Sequence, residues 1–268
     1  MAVDFEFKEK YKVEDLLNIM KVLRGEGGCP WDREQTHESI KKNLIEETYE
    51  VIEAINKEDK DLLLEELGDV LMQVVFHAEL EDEKGVFNFD DVADGICKKL
   101  ILRHPHVFGD ISVNNTSEVL RNWEDIKKQS KGQKTQTQTM LSVPRELPAL
   151  MRATKIQQKA AKVGFDWRDV EGAKAKLSEE TAELEQAIKN NDKENITEEL
   201  GDILFSVVNI SRFVDCDAEE ALTSATDKFI NRFSQVEKLA QERNIDMEKS
   251  SLEELDALWD EVKSKESK

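Results

Sequence analysis

The sequence predicts an all-α protein built from two related helical halves, on three observations. One acidic signature occurs twice with unchanged spacing: Glu46-Glu47-x-x-Glu50 then Glu66-Leu67-Gly68-Asp69, and Glu179-Glu180-x-x-Glu183 then Glu199-Leu200-Gly201-Asp202. Each residue of the second copy lies 133 positions after its counterpart. The segments that carry the acids have apolar residues at helical intervals. The 268-residue composition, rich in Glu, Lys, Leu and Ala with four prolines and few aromatics, suits helices throughout. A solvated surface accepts charge at any helical position, so a duplicated constellation points to a site.

Each half carries the same parts in order: an opening helix, a loop with Trp and Asp (Trp31-Asp32; Asp166-Trp167), the acidic hairpin, and a later basic helix. In the first hairpin Glu50 and Glu66 are centred on residue 58, as are Glu47 and Asp69, within the polar stretch Asn56-Lys57-Glu58-Asp59. A turn there sets Glu50 opposite Glu66 and Glu47 opposite Asp69. In the second hairpin both midpoints fall on Asn191, within Asn190-Asn191-Asp192. The paired acids on one helix are about 5 Å apart along the axis, and facing helices roughly 8–10 Å apart, so the four carboxylates can converge on shared cations.

The surroundings of the acids sharpen this reading. Leu44, Ile45, Thr48, Val51, Ile52 and Ile55 form one face of the first helix, with Glu47 and Glu50 on its flank. From Leu62 to Ala78 the second helix is apolar nearly all round, with Glu66, Asp69 and Gln73 as a narrow polar stripe. Glu199, Asp202 and Ser206 repeat the stripe between Ile196 and Ile210. A helix apolar on most sides is expected to be buried, and buried carboxylates are costly unless paired or holding a metal. The competing reading is a set of salt bridges to nearby lysines, but no basic residue recurs at matching positions inside the hairpins. Gly68 and Gly201, each costing about 1 kcal/mol against Ala in mid-helix, are read as permitting close helix approach.

The ligand type selects the metal. Carboxylates without Cys or His suit hard cations, Mg²⁺ first, with Mn²⁺ as a substitute and Ca²⁺ as a non-productive occupant. A di-iron site needs Glu-x-x-His on two core helices. Glu34-x-x-His37 stands alone, and His104-Pro105-His106 sits at a helix end. Cys29, Cys97 and Cys216 are odd in number and far apart, which implies reduced thiols and a cytoplasmic protein. No apolar run approaches the ~18 residues of a membrane span, and the acidic N-terminus lacks a signal peptide's basic start. The formal charge of −20 argues against nucleic-acid polymers as partners. A small polyphosphate carried in with its own Mg²⁺ is compatible with it, because the metal reverses the local sign.

The expected organisation is an N-terminal domain over residues 1–128, a linker over 129–147 and a C-terminal domain over 148–268. The linker assignment rests on the polar run from Gln129 to Thr139 and on Pro144 and Pro148. One hairpin cannot enclose a core, so a four-helix bundle between halves or between chains is expected, as a homodimer. Positive charge recurs in order: Lys99-x-x-x-Arg103 matches Lys228-x-x-x-Arg232, and Trp123-x-x-x-Lys127 matches Trp259-x-x-x-Lys263. Lys and Arg could grip phosphate oxygens and an indole could stack on a base, although packing is the plainer role for Trp123.

Cys29-Pro30-Trp31-Asp32, Glu46-Glu47-Thr48-Tyr49-Glu50, Glu66-Leu67-Gly68-Asp69, Arg103-His104-Pro105-His106-Val107-Phe108 and Val163-Gly164-Phe165-Asp166-Trp167 resemble the two-domain bacterial MazG nucleoside triphosphate pyrophosphohydrolases nearly end to end. The resemblance implies tandem all-α helical-bundle domains, a dimer, and Mg²⁺-dependent hydrolysis of nucleoside triphosphates to monophosphate and pyrophosphate with broad base tolerance. It implies that the C-terminal copy is catalytic. Carried over, Glu180, Glu183, Glu199 and Asp202 ligate Mg²⁺, while Lys176, Glu179, Glu180, Glu198, Asp202, Lys228, Arg232, Trp259 and Lys263 contact the nucleotide. The N-terminal copy keeps the metal set Glu47, Glu50, Glu66 and Asp69, but Asn43 stands where the second copy has Lys176. Glu179, not needed for the rectangle, is the candidate to orient or deprotonate the attacking water, with Glu180 and Glu183 completing the catalytic set. Two alternatives stay open: a pyrophosphatase specific for deoxynucleotides such as dUTP or dCTP, and a non-catalytic helical interaction protein whose acidic faces are exposed.

Overall fold

The computed structural model describes residues 5–266, in which thirteen helices and no strands occur. The chain divides into two compact units, residues 1–127 and 128–268. The first unit contains α1 (Val13–Arg24), α2 (Pro30–Glu34), α3 (His37–Asn56), α4 (Lys60–Asp82), α5 (Phe89–Arg103), α6 (Pro105–Phe108) and most of α7 (Thr116–Ser130). The second contains α8 (Gln136–Leu141), α9 (Ala149–Ala161), α10 (Val170–Asn190), α11 (Lys193–Phe213), α12 (Ala218–Glu242) and α13 (Leu252–Glu266). No described helix is long and apolar enough to cross a membrane.

Each unit is organised on an antiparallel hairpin, α3–α4 or α10–α11, and local chemistry fixes where each helix starts and stops. Thr36 and Ser39 cap α3 reciprocally: the Ser39 amide donates to Thr36 Oγ1 at 3.3 Å, and the Thr36 amide to Ser39 Oγ at 2.9 Å. Asp59, Asp169 and Asp192 accept amide hydrogens at the N-termini of α4, α10 and α11. The turns centre on Glu58 and Asn191, both left-handed at φ 54° and 53°, so the bends fall at the two midpoints that the acid spacing defines. Ala54 and Ala187, equivalent residues just before the turns, are fully buried, and their small side chains let the helices close together there.

The two cores differ. In the first unit Met20, Ile40, Val75, Phe76 and Leu80 cluster between α1, α3 and α4. In the second, the main cluster is Val236, Ala240, Leu258 and Val262 between α12 and α13.

Two expectations need correction. The hairpin helices are not apolar cores within one chain: Ile45, Ile52, Ile55, Leu64, Leu67, Leu200, Leu204 and Phe205 are exposed, because no element of the same unit covers that side. Gly68 and Gly201 mark no close approach inside the chain, since a Cβ at either would meet nothing within 4 Å. The 129–147 stretch carries structure of its own: α8 lies inside it, Thr139 is buried, and the Gln136 side-chain amide donates to the Lys159 carbonyl on α9. Thr135 and Gln138 form a capping box at the start of α8, which is why a polar run takes up helix.

Candidate functional site

The bend at Asn191 brings the second acidic set together. Single carboxylate oxygens of Glu180, Glu199 and Asp202 lie within 4.8 Å of one another, and Glu183 hydrogen-bonds to Glu180 from the outer side. Glu180 and Glu199 are buried while Asp202 is exposed. The first unit builds the same arrangement from Glu47, Glu66 and Asp69, also within 4.8 Å, with Glu50 hydrogen-bonded to Glu47 and Glu66. Each unit therefore gathers its four acids as a close triad with a fourth, Glu50 or Glu183, hydrogen-bonded beside it.

Carboxylates this close, without a counter-charge, hold protons more tightly than usual. Burial first, then the neighbouring acids, push Glu47, Glu66 and Glu199 above the ordinary Glu value. The Glu180 hydrogen bond, together with burial, raises Glu183. Glu180 goes the other way because the Lys176 ammonium reaches it, and Lys176 also holds Glu179 at 3.1 Å. Lys176 is raised by the same two partners. The salt-bridge reading is thus partly realised, in one unit alone: Asn43 occupies the equivalent place in the other and supplies no charge. An all-oxygen set in which Glu47, Glu66, Glu183 and Glu199 hold protons more tightly than usual fits a hard divalent cation, whose charge would offset theirs.

Beside the second quartet is a cavity of about 690 Å³ between α9, the 162–169 loop, α10 and α11. Lys176, Glu180 and Asp202 line it together with Trp167, Asn209 and Arg212. Arg212 was not singled out by sequence. Its guanidinium donates to Asp166 Oδ2 at 2.5 Å, to Asn209 Oδ1 at 3.2 Å and to Gln157 Oε1 at 3.5 Å. Asn209 and Arg212 were legible as polar residues spaced three apart beyond Ser206, where the stripe runs on to the helix end.

The remaining nucleotide candidates are elsewhere. Lys228 is exposed on α12, Arg232 donates to Glu266 at 2.8 Å, and Trp259 packs against Phe229 with ring centroids 5.1 Å apart. Lys263 lies 3.6 Å from Asp260, and Glu198 is exposed beside Glu199. None of these five lines the cavity. In the first unit the Arg103 guanidinium and the Lys127 ammonium lie 5.0 and 4.7 Å from the Trp123 ring centroid, so the two basic repeats meet on one indole.

The family model of the MazG nucleotide pyrophosphohydrolase domain matches twice, over residues 35–108 and 168–237, each match containing one quartet. The chain belongs to the MazG nucleotide pyrophosphohydrolase family. It is 48% identical over 250 residues to the nucleoside triphosphate pyrophosphohydrolase/pyrophosphatase MazG of Thermotoga maritima, covering 93% of this chain and 95% of that protein. It is 46% identical over 260 residues to the nucleoside triphosphate pyrophosphohydrolase of Escherichia coli K12, covering 95% and 98% respectively. A Bacillus subtilis protein, YabN, is 49% identical over 250 residues, 93% of this chain and 51% of its own length. In this chain both copies of the MazG domain keep the acids, and they differ in what stands beside them.

Proposed function

We propose that the protein hydrolyses nucleoside triphosphates, ATP and deoxynucleotides included, to the monophosphate and pyrophosphate in its second unit. The observation that carries this reading is an acid quartet, with Glu180 and Glu199 buried, that meets a nucleotide-sized cavity at Glu180 and Asp202. Two close relatives bear the name of that activity. Removal of pyrophosphate from surplus or damaged nucleotides, a house-cleaning or stress-response role in the cytoplasm, is the cellular use that fits such a reaction.

Glu180, Glu183, Glu199 and Asp202 would hold Mg²⁺, or Mn²⁺ in its place. When bound, the cation supplies a water of lowered pKa and offsets charge on the phosphates. The chain's own residues do the rest. Lys176 exchanges its carboxylate partners for phosphate oxygens as the triphosphate enters, which orients the chain of phosphates. Its departure frees Glu179, about one helical turn before Glu183 on α10, to take the proton of the attacking water. The new bond forms between that oxygen and the α-phosphorus while the bond to the bridging oxygen of pyrophosphate breaks.

Lys228 and Arg232 are assigned to the departing pyrophosphate, with Glu198, Trp259 and Lys263 along the nucleotide. Because these groups lie outside the cavity of their own chain, we assign the working form as a homodimer. The exposed Leu200, Leu204 and Phe205 and the open space at Gly201 support a second copy packed on α11.

The test is product analysis with Mg²⁺ and ATP. AMP and pyrophosphate are expected; ADP and orthophosphate as sole products would overturn the proposal. Glu180→Gln with Glu183→Gln should remove most turnover, and Glu47→Gln with Glu50→Gln should cost far less.

A further inference from the structure

The first unit carries a polar contact for which the second unit has no equivalent residues. In the internal 133-residue register, His37, His77 and Glu81 stand where the second unit has Val170, Ile210 and Val214. Three apolar positions in one copy are thus two imidazoles and a carboxylate in the other, and His37 touches both of its partners. His37 opens α3 while His77 and Glu81 lie about one turn apart on α4, so the contact spans the open end of the hairpin, away from the bend at Glu58. The acid quartet is separate from it. Asp69, the quartet member closest in sequence, precedes His77 by about 12 Å of helix.

The geometry is that of a ligand pair rather than of packed rings. His37 Nδ1 and His77 Nδ1 are 2.8 Å apart, with ring planes within 3° of parallel. Rings stacked face to face keep a larger van der Waals separation than that, so these two meet edge to edge and aim their Nδ1 atoms at each other. On its other side His37 Nε2 lies 2.6 Å from Glu81 Oε1. Glu81 is held below the ordinary Glu value, by Lys84 first and His37 second, so it is a carboxylate at neutral pH and accepts the Nε2 proton. That fixes the tautomer of His37. Its Nδ1 is left unprotonated and made more basic, as a carboxylate does for an imidazole that ligates a metal. Burial, and then His37, hold His77 below the ordinary His value, so it too is neutral at pH 7. His77 Nδ1 therefore donates to His37 Nδ1.

We propose that His37 Nδ1 and His77 Nδ1 bind a borderline divalent transition metal, Zn²⁺ foremost, with Glu81 as the residue that positions His37 and with water completing the coordination. The ion takes the place of the one shared proton. His77 moves that proton from Nδ1 to Nε2, both Nδ1 lone pairs bond to the metal, and no proton leaves the pair. Two nitrogens on a tetrahedral Zn²⁺ lie about 3.3 Å apart, so the rings must separate by roughly half an ångström. The His37 side chain, 42% exposed, has the freedom to make that shift and gives the ion a path. Imidazole suits Zn²⁺ and not Mg²⁺, so this pair and the all-oxygen quartets select different metals. An ion held here joins the start of α3 to α4 and stabilises the folded first unit.

Zn²⁺ titration by calorimetry in excess Mg²⁺, which competes for carboxylates and not for imidazoles, tests the inference. The wild type is expected to bind one Zn²⁺ ion that His37→Val and His77→Ile, substitutions that copy the second unit, no longer bind. Glu81→Gln should weaken that binding about tenfold to a hundredfold. In nitrogen NMR spectra of the wild type, Zn²⁺ should shift the ring signals of His37 and His77 and leave those of His104 and His106 in place. Zn²⁺ binding absent from the wild type, or equal in the wild type and both histidine variants, would overturn the inference and leave the trio as a hydrogen-bond chain. Should either variant fail to fold, the wild-type spectra decide: ring signals of His37 and His77 unmoved by Zn²⁺ would overturn it as well.

Discussion

Lys176 distinguishes the two acid quartets by charge, and replacing it should move two properties in opposite directions. In the structure its ammonium is shared between Glu180, only 3% exposed, and Glu179 at 3.1 Å. On the proposed function a divalent cation would compete with it for Glu180, while the triphosphate would draw on its charge. In Lys176→Asn, which copies Asn43, Glu180 keeps only acidic neighbours, Glu183 and Glu199. Its pKa should then rise from its lowered position, and the quartet loses the one positive charge beside it. Mn²⁺ affinity without nucleotide should therefore hold or increase severalfold. The triphosphate loses one charge-assisted contact, which by its usual strength amounts to about tenfold to a hundredfold in kcat/KM. Mn²⁺ titration followed by electron paramagnetic resonance gives the first quantity and pyrophosphate release the second. A variant with Mn²⁺ affinity reduced in step with turnover would refute the reasoning, because Lys176 would then be a brace for the acids.

Further outcomes follow from burial and charge. Glu47, Glu66 and Glu199 are raised from the ordinary Glu value, so the folded state binds their protons more tightly than the unfolded chain. Their favourable contribution is present at low pH and lost as pH rises through the raised folded values, leaving a cost at neutral pH that a bound cation offsets. The Mg²⁺-induced rise in Tm over an EDTA control should be larger at pH 7 than at pH 5, and equal increments would count against the quartets as cation sites. Leu67→Glu and Leu204→Glu, at positions about half exposed in the single chain, should convert a dimer to monomer in sedimentation; a wild-type monomer would remove the homodimer from the proposal. Val208→Ala, at a fully buried position, removes two methyl groups and should lower stability by about 2 kcal/mol in urea titration.

The acid quartets were legible because helical rise, two midpoints and a turn sequence are enough to set opposite residues face to face. Glu58 and Asn191 adopt the left-handed backbone of a tight bend, and the quartets follow. Burial was less legible. The apolar circumference of α4 and α11 states that Leu64 or Leu204 needs a partner, but periodicity carries no label for which element or which chain provides it. The same applies to Gly68 and Gly201, whose lack of side chain is a property of the surface they present rather than of a contact within the unit. The cavity was invisible for another reason: it arises from volumes missing at Ala173, Ser206 and Asn209, residues that looked unremarkable until set against Ile40, Gln73 and Phe76. Arg212 was overlooked because a cation in the last turn of a helix is ordinary, and only its contacts with Asp166, Asn209 and Gln157 set it apart.

The two copies show which part of such a site a duplicated fold keeps most easily. Quartet geometry depends on hairpin length and on the bend, properties that every residue of α3–α4 and α10–α11 helps to maintain, so the acids converge in both units. The cavity depends on three side-chain volumes and one arginine. Ile for Ala and Phe for Asn put core side chains in the first unit where the second has cavity-lining residues, and they add buried apolar surface there. On the proposed function, the first unit would gain stability from that filled volume, while the bend at Glu58 keeps its carboxylates together. Retention of acids is therefore weak grounds for assigning turnover to the first unit, and the small residues at positions 173, 206 and 209 are the stronger grounds for assigning it to the second.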